Sequence, residues 1–168
     1  MGERGRRCSR PGGTRLVGLL NDLGEGPLGL DTAVFIYFVE ENPAYLPLVE
    51  PIFAAIDRGQ VQGVTSAITL LETIVVPLRS GNEVLARRYE SLLTHSRGLK
   101  LVHLDLALLR AAAHLRAITR LKTPDAIQLA AALSEGCSTF LANDHRYPEL
   151  HGIRILQVDD YLTEKPAT

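Results

Sequence analysis

The chain of 168 residues has little of what marks secreted, membrane-bound or strongly basic proteins. It has only two cysteines, Cys8 in the basic leader and Cys137 in a predicted buried segment. They do not indicate a disulfide framework, and a reducing cytoplasm is the expected location. The basic first residues are not followed by an apolar run long enough for a signal peptide or a membrane span. The net charge is −1, so no overall field attracts nucleic acid or an anionic membrane. A polyanionic partner would therefore need local basic patches and metal ions.

Several catalytic motifs are also missing. The five histidines are scattered and show none of the histidine or cysteine spacings of zinc sites. No Gly-x-Ser-x-Gly elbow of an α/β-hydrolase is present. A glycine pattern at 24–29 matches the dinucleotide fingerprint, but it precedes a strand and contains Pro27, whereas the fingerprint must follow a strand. These absences argue against zinc enzymes, serine esterases and dinucleotide-binding enzymes.

The length and composition that are present suit one globular domain. The chain is 46% hydrophobic and 22% charged, which is ordinary for a globular protein, and a domain of this size buries roughly 70% of its unfolded surface. We predict a flexible basic leader at 1–26, which is either an arm that touches RNA or the result of a start site placed too far upstream. A single domain is predicted at 27–163, followed by a short tail at 164–168.

Short apolar segments that read as strands alternate with amphipathic helices along this domain. The predicted strands lie near residues 28–30, 61–64, 99–104, 139–142 and 153–158. Strands that alternate with helices indicate an α/β fold, in which a mainly parallel sheet is covered by helices on both faces.

Four acidic residues stand out by their positions relative to these elements. Asp31 follows the first strand, Glu72 lies two turns into a helix among apolar neighbours, Asp125 is in the first turn of an alanine-rich helix, and Asp144 follows the strand at 139–142. In a right-handed parallel sheet such positions converge at one edge. Crowded carboxylates repel each other unless a cation lies among them, and hard oxygen ligands suit Mg²⁺ or Mn²⁺. Each acid also has an ordinary explanation as a helix cap, a favourable charge at a helix start or a turn residue.

Four segments that contain these acids carry a family resemblance. They are Leu30-Asp31-Thr32, Thr65-Ser66 with Glu72, Thr123-Pro124-Asp125-Ala126-Ile127-Gln128-Leu129-Ala130, and Phe140-Leu141-Ala142-Asn143-Asp144. In wording and spacing they resemble a PIN domain, specifically a VapC-type toxin ribonuclease, over about residues 28–162. The resemblance implies a PIN-like three-layer α/β fold and a metal-dependent endoribonuclease that hydrolyses RNA with metal-activated water. It also implies that Asp31, Glu72, Asp125 and Asp144 hold Mg²⁺ or Mn²⁺.

Three basic residues flank the acids and are candidates for binding substrate phosphates, namely Arg120, Lys122 and Arg146. One position departs from the family, which often has a hydroxyl residue two before the last acid, where this chain has Ala142. Asn143 could partly substitute for that hydroxyl.

The departure at Ala142 favours the main alternative, a PIN-fold binding module with a weak metal site that acts through protein partners. A structure-specific DNA nuclease would share the acids, but such enzymes usually carry additional helical insertions. A haloacid-dehalogenase-like phosphatase would need a second aspartate at the position of Ala33.

The resemblance further implies a small cognate antitoxin, whose C-terminal segment covers the groove and can place an arginine among the acids. A homodimer, and a heterotetramer or larger assembly with the antitoxin, are also expected. We predict that helices near 45–56 and 83–95 supply these surfaces through Tyr45, Leu48 and Leu92. Transfer, ribosomal and messenger RNA all remain open as substrates.

Overall fold

The computed structural model describes residues 16–162 and centres on one parallel sheet. The five strands are β1 (Leu28–Leu30), β2 (Gly63–Ser66), β3 (Leu99–Val102), β4 (Thr139–Ala142) and β5 (Arg154–Gln157). The helices of the described residues are α1 (Leu16–Asp22), α2 (Thr32–Val39), α3 (Leu46–Asp57), α4 (Ile68–Arg79), α5 (Glu83–His95), α6 (Leu106–Ile118) and α7 (Thr123–Ser134), with a 3₁₀ helix at Val158–Tyr161. The predicted α/β class, with helices flanking a parallel sheet, is confirmed.

The strands are arranged in the order β3-β2-β1-β4-β5, and every pair is parallel. From the central β1 the chain first builds outward through β2 and β3, and then crosses back to place β4 on the other side of β1. The direction of winding therefore reverses between β1 and β4. The crevice at the carboxyl ends of the strands beside such a reversal is where open α/β sheets place their functional groups.

Two apolar clusters cover the two faces of the sheet. One contains side chains of α6 and α7, and the other contains side chains of α1, α2, α3 and α5. The strands divide between them by alternation, since Phe140 and Ala142 belong to the first cluster and Leu141 to the second. This period of two is what a strand buried on both faces must show.

Close packing between α7 and β1 depends on Gly29. A Cβ atom at this position would lie 2.7 Å from Ala132 Cβ and 2.5 Å from the Phe140 ring, which is too close for any larger residue. Residues 126–132 of α7 are all buried. The glycine thus lets the alanine-rich helix sit directly on the central strand, and this fixes the position of the first turn of α7.

The start of the domain differs from the predicted boundary at residue 26. Residues 1–15 of the predicted leader and the tail at 164–168 lie outside the described residues. Within the remainder of the leader, however, α1 is helical, and Leu19 and Leu23 are 1% and 5% exposed in the core. Thr139 Oγ1 also donates a hydrogen bond to the Leu23 carbonyl at 2.8 Å. The apolar spacing of Leu19 and Leu23 signals this helix, but glycines on either side obscure it.

The second predicted strand is shifted by two residues, because Thr65 and Ser66 belong to β2 rather than to a helix cap. Their side chains are 1% and 0% exposed, and Thr65 Oγ1 donates to the Leu30 carbonyl at 3.0 Å. At Thr65 bonding across strands therefore replaces capping, whereas Ser66 Oγ still accepts from the backbone N–H of Ile68, the first residue of α4, at 3.3 Å. None of the helices at residues 16–162 is long and apolar enough to cross a bilayer.

Candidate active site

The four predicted acids lie at the carboxyl edge of β2, β1 and β4, around the reversal of the sheet. Asp31 directly follows β1, and its backbone N–H donates to Leu141 O on β4 at 3.0 Å. Asp144 follows β4, Asp125 is in the first turn of α7, and Glu72 projects from α4. Their charges act on one another, since Asp125 and Glu72 both raise the pKa of Asp31, and Asp144 raises that of Asp125. The structure therefore brings these acids into one electrostatic cluster.

Asp31 is a buried carboxylate that does not cap the helix it precedes. It occupies the N-cap position of α2 but makes no side-chain capping hydrogen bond. Instead its Oδ1 accepts a hydrogen bond from the Tyr147 hydroxyl at 3.1 Å. Burial is the main cause that raises the pKa of Asp31 to about 6, against the opposing effects of hydrogen bonds from the Thr32 backbone and Tyr147. A helix cap therefore does not explain this residue.

Glu72 is held by a chain of hydrogen bonds that begins on another helix. Gln128 Nε2 donates to Thr32 Oγ1 at 2.9 Å, and Thr32 Oγ1 donates to Glu72 Oε2 at 2.5 Å. Because the Thr32 hydroxyl has only one proton, accepting from Gln128 directs that proton to the carboxylate. The order of donors therefore sets the orientation of Glu72.

The remaining atoms of Gln128 are satisfied by β2 and the start of α4. Its Oε1 accepts from the Ser66 backbone N–H at 3.2 Å and lies 3.1 Å from Thr65 Oγ1, while Nε2 also donates to Thr69 Oγ1. The side chain is 1% exposed. We name Gln128, Thr32, Thr65, Thr69 and Ser66 the Gln128 network. Sequence reasoning missed it, although a polar residue in the middle of a buried alanine-rich face was the available signal.

Asp125 and Asp144 differ in their electrostatic surroundings. Burial is the main cause that raises the pKa of Asp125, partly opposed by the charges of Arg146 and Lys122. The Arg146 side chain lowers the pKa of Asp144 by hydrogen bonding, and its Nε lies 2.9 Å from both Oδ1 and Oδ2, with Nη2 also donating to Oδ2. Arg146 thus neutralises Asp144 within the chain, a role that sequence spacing did not reveal.

The other two predicted phosphate-binding residues differ in their electrostatic effect on the acids. Lys122 occupies the N-cap position of α7, and its charge lowers the pKa of Asp125 and of Asp144. Arg120 is exposed on the link between α6 and α7, and its charge is not among the main causes of either shift. Of the two, Lys122 is therefore the one whose charge acts most on the acidic cluster.

The acidic cluster suits a hard cation by its chemistry. It supplies carboxylate oxygens, and the buried Asp31 has a pKa raised partly by its acidic neighbours, a repulsion that a cation would relieve. Among the residues described, no three of the four acids have carboxylate oxygens within 4.8 Å of one another. The side chains would have to rotate toward one another for their carboxylates to bind one ion.

A separate group does bring three ligand atoms within 4.8 Å of one another, and consists of His145, Asp159 and Asp160. His145 Nε2 lies 3.1 Å from Asp159 Oδ2. His145 and Asp160 are exposed. Exposed acidic groups of this kind are common without any ion.

We expected Asn143 to substitute partly for the hydroxyl that is missing at Ala142, but in the structure its amide bonds to other groups. Ala142 is completely buried. Asn143 Nδ2 donates to the Tyr37 and Tyr45 hydroxyls at 2.9 and 3.3 Å, and its Oδ1 accepts from the Asp159 backbone N–H at 3.0 Å. Both ends of the amide are thus engaged by α2, by the residue that precedes α3 and by the 3₁₀ helix.

The predicted partner surface on α3 and α5 needs one correction. Leu48 is only 6% exposed and belongs to the core, because it faces the sheet. A groove of about 1040 Å³ does lie between α2, α3 and α5, with Phe38, Glu50, Arg88 and Leu92 among its lining residues.

Comparison with known proteins agrees with this architecture. The family model for the PIN domain matches residues 29–153, and the chain therefore belongs to the PIN domain family. No curated protein gives a significant match.

Solved structures similar to this chain come from toxin-antitoxin systems. A toxin-antitoxin complex from Klebsiella pneumoniae is 18% identical, with a TM-score of 0.59 over 79% of this chain and 98% of the other. VapC20 of Mycobacterium tuberculosis, described as a sarcin-ricin loop cleaving toxin, is 17% identical, with a TM-score of 0.58 over 70% and 90%. VapBC2 of Rickettsia felis, bound to a promoter DNA fragment, is 13% identical, with a TM-score of 0.61 over 77% and 97%. At these identities the likeness establishes the fold.

Proposed function

We propose that this protein is a metal-dependent endoribonuclease and the toxin of a toxin–antitoxin pair, acting in the cytoplasm. The observation that carries the proposal is the cluster of Asp31, Glu72, Asp125 and Asp144 at the carboxyl edge of the sheet. Two of these acids, Asp31 and Asp125, have pKa values raised mainly by burial. Carboxylates whose pKa is perturbed in this way are concentrated at functional sites. The similarity to VapC20, which is described as cleaving the sarcin-ricin loop, supports RNA as the substrate class.

In this proposal Asp31 and Asp125 hold Mg²⁺ or Mn²⁺ directly, while Glu72 and Asp144 hold a second ion or its waters. A bound ion would lower the pKa of a water molecule and neutralise charge on the phosphodiester. Thr32 keeps Glu72 oriented through their 2.5 Å hydrogen bond. Tyr147, Phe140 and the other buried side chains behind Asp31 exclude bulk water from that side.

The basic residues next to the acids would position the RNA backbone. Lys122 is near both Asp125 and Asp144 by its effect on their pKa values, and it is exposed and free to reach a phosphate. Arg146 would exchange its pairing with Asp144 for a phosphate when RNA binds. Arg120, further along the exposed link, would contact a more distant phosphate.

An antitoxin segment bound in the groove between α2, α3 and α5 forms part of the proposal. The groove offers apolar contacts at Phe38 and Leu92 beside charges of both signs, including Glu50 and Arg88. Such a mixture suits an amphipathic peptide. Leu92→Glu should abolish capture of the co-expressed antitoxin while leaving RNA cleavage intact, and retained capture would contradict this placement.

The homodimer expected from the family is also proposed here. Leu71, Val75 and Leu78 of α4 are 60%, 39% and 54% exposed, and their spacing places them on one face of the helix. Apolar side chains that cluster on an exposed face mark association surfaces. Light scattering of Leu71→Glu and Leu78→Glu variants tests this surface. A dimer of unchanged stability in both variants would contradict it.

The decisive experiment is cleavage of total RNA by the purified, antitoxin-free chain in Mg²⁺ or Mn²⁺. Asp31→Asn and Asp125→Asn should each abolish cutting at discrete sites, whereas Asp57→Asn, at an exposed position on α3, should cut like the wild type. EDTA should abolish cutting in the wild type. Cleavage that persists in either site variant would refute the assigned metal ligands.

The buried Ala142 and the engaged Asn143 favour one alternative, a binding module that has lost metal affinity. Mn²⁺ distinguishes the two functions, because an ion that binds only the folded state raises the melting temperature. A folded chain that neither gains stability with Mn²⁺ nor cleaves RNA would be a binding module.

A further inference from the structure

The hydroxyl of Tyr147 contacts Asp31 from the core side of the candidate site. Tyr147 lies in the loop after β4 that also carries Asp144, and its Oη donates to Asp31 Oδ1 at 3.1 Å. The residue is 8% exposed and its ring packs on Phe140, with ring centroids 5.1 Å apart. A side chain packed in this way has little room to turn. The position of the hydroxyl is therefore fixed by the core.

The direction of this hydrogen bond follows from the surroundings of the phenol. Burial is the main cause that raises the pKa of Tyr147 far above its usual range, and the charges of Asp31 and Asp125 act in the same direction. The phenol consequently keeps its proton and serves as a donor to the carboxylate.

We propose that Tyr147 is a positioning residue, whose hydroxyl fixes the Asp31 carboxylate for metal binding. This inference rests on the proposed function, since it concerns one of the carboxylates assigned to the metal. An ionised carboxylate has about four lone-pair sites, so the bond from Tyr147 leaves others for an ion. Hydrogen bonds to a ligand from behind commonly set its orientation and its affinity for metal.

Other features of the site explain why a hydroxyl is needed at this point. Ala142 provides none, and the Asn143 amide is engaged by Tyr37, Tyr45 and the backbone of Asp159. Asp31 makes no N-cap side-chain hydrogen bond to α2, and its contact with that helix is the hydrogen bond from the Thr32 backbone. Among the described residues, Tyr147 is the side chain that donates a hydrogen bond to Asp31.

The test is Mn²⁺ binding by the full-length chain, measured by electron paramagnetic resonance of the free ion. Tyr147→Phe keeps the ring and removes only the hydroxyl, and we expect it to weaken Mn²⁺ binding about 10- to 100-fold. The matched control is Tyr89→Phe, because Tyr89 is also buried and its hydroxyl donates to Glu40 Oε1 at 2.7 Å, a carboxylate outside the cluster. The control should bind Mn²⁺ like the wild type.

A merely structural role for Tyr147 would give a different pattern. In that case both variants would melt at lower temperature and both would keep wild-type Mn²⁺ affinity, which would overturn the inference and leave the proposed function standing. Under the inference, saturating Mn²⁺ restores RNA cleavage by Tyr147→Phe. A folded wild type that binds no Mn²⁺ would overturn the inference and the proposed metal site together.

Discussion

Asp31→Asn should stabilise the protein while it abolishes RNA cleavage. In the folded chain the pKa of Asp31 is raised from 3.8 to about 6, chiefly by burial. A shift of about two pH units corresponds to about 3 kcal/mol of unfavourable free energy for the ionised form. Asparagine has nearly the same shape and no charge, so at pH 8 without metal the variant should gain up to about 3 kcal/mol of unfolding free energy.

The gain has a defined pH dependence. An acid whose pKa is higher in the folded state binds more protons when folded, so wild-type stability falls as pH rises from about 4 to about 6. Below the unfolded pKa the carboxyl is neutral in both states, and the difference between Asp31→Asn and the wild type should vanish. Above about 6 it should reach a plateau.

The assay is urea and thermal denaturation in EDTA at a series of pH values, followed by circular dichroism. For a chain of this size the full gain would raise the melting temperature by about 6–12 °C. Asp144→Asn is the contrasting control, because the pKa of Asp144 is lowered by Arg146 and its replacement should give no gain. An Asp31→Asn variant no more stable than wild type at pH 8, or a gain that persists unchanged at pH 3, would refute this reasoning.

Three further changes test the surroundings of the site. Gln128→Met should cost about 2–4 kcal/mol of unfolding free energy, since it leaves buried polar groups without a hydrogen-bond partner. The control Gln62→Met, at an exposed position, should stay within about 0.5 kcal/mol of the wild type. Equal urea midpoints for the two variants would contradict the role of the Gln128 network. Gly29→Ala should lower the free energy of unfolding by about 1–3 kcal/mol through overpacking against α7. An unchanged melting curve would show that α7 can move away from β1. Arg146→Gln should tighten Mn²⁺ binding modestly, because the ion pair with Asp144 that competes with the metal is exposed and therefore weak. Titration with Mn²⁺ measures the change, and weaker binding would show that Arg146 assists the metal instead.

Much of the fold could be predicted because its signals are local. Strand alternation, helical spacing and the glycine and proline breaks each depend on residues a few positions apart, and they place Thr139–Ala142 correctly as β4. Parallel connectivity then requires the strand ends to share an edge, which is why positions as distant as Asp31 and Asp144 could be expected together. The acids were visible because their chemistry is in the side chain itself.

Other features followed from no local rule. The burial of α1 depends on packing against the sheet and the 3₁₀ helix. The engagement of Asn143 depends on Tyr37 in α2 and on Tyr45, which precedes α3. The exchange of capping for cross-strand bonding at Thr65 likewise needed the neighbouring strand.

The sequence by itself thus determined the α/β class, the edge of the sheet that carries the acids and their identity. Only the tertiary structure decided how those acids are held. Gln128 reaches Thr32 across 96 positions, and Tyr147 reaches Asp31 across 116. Such partners are chosen by the packing of α7 and the β4 loop against β1, and buried donors must find acceptors wherever that packing places them. No periodicity in the chain encodes a contact of that range.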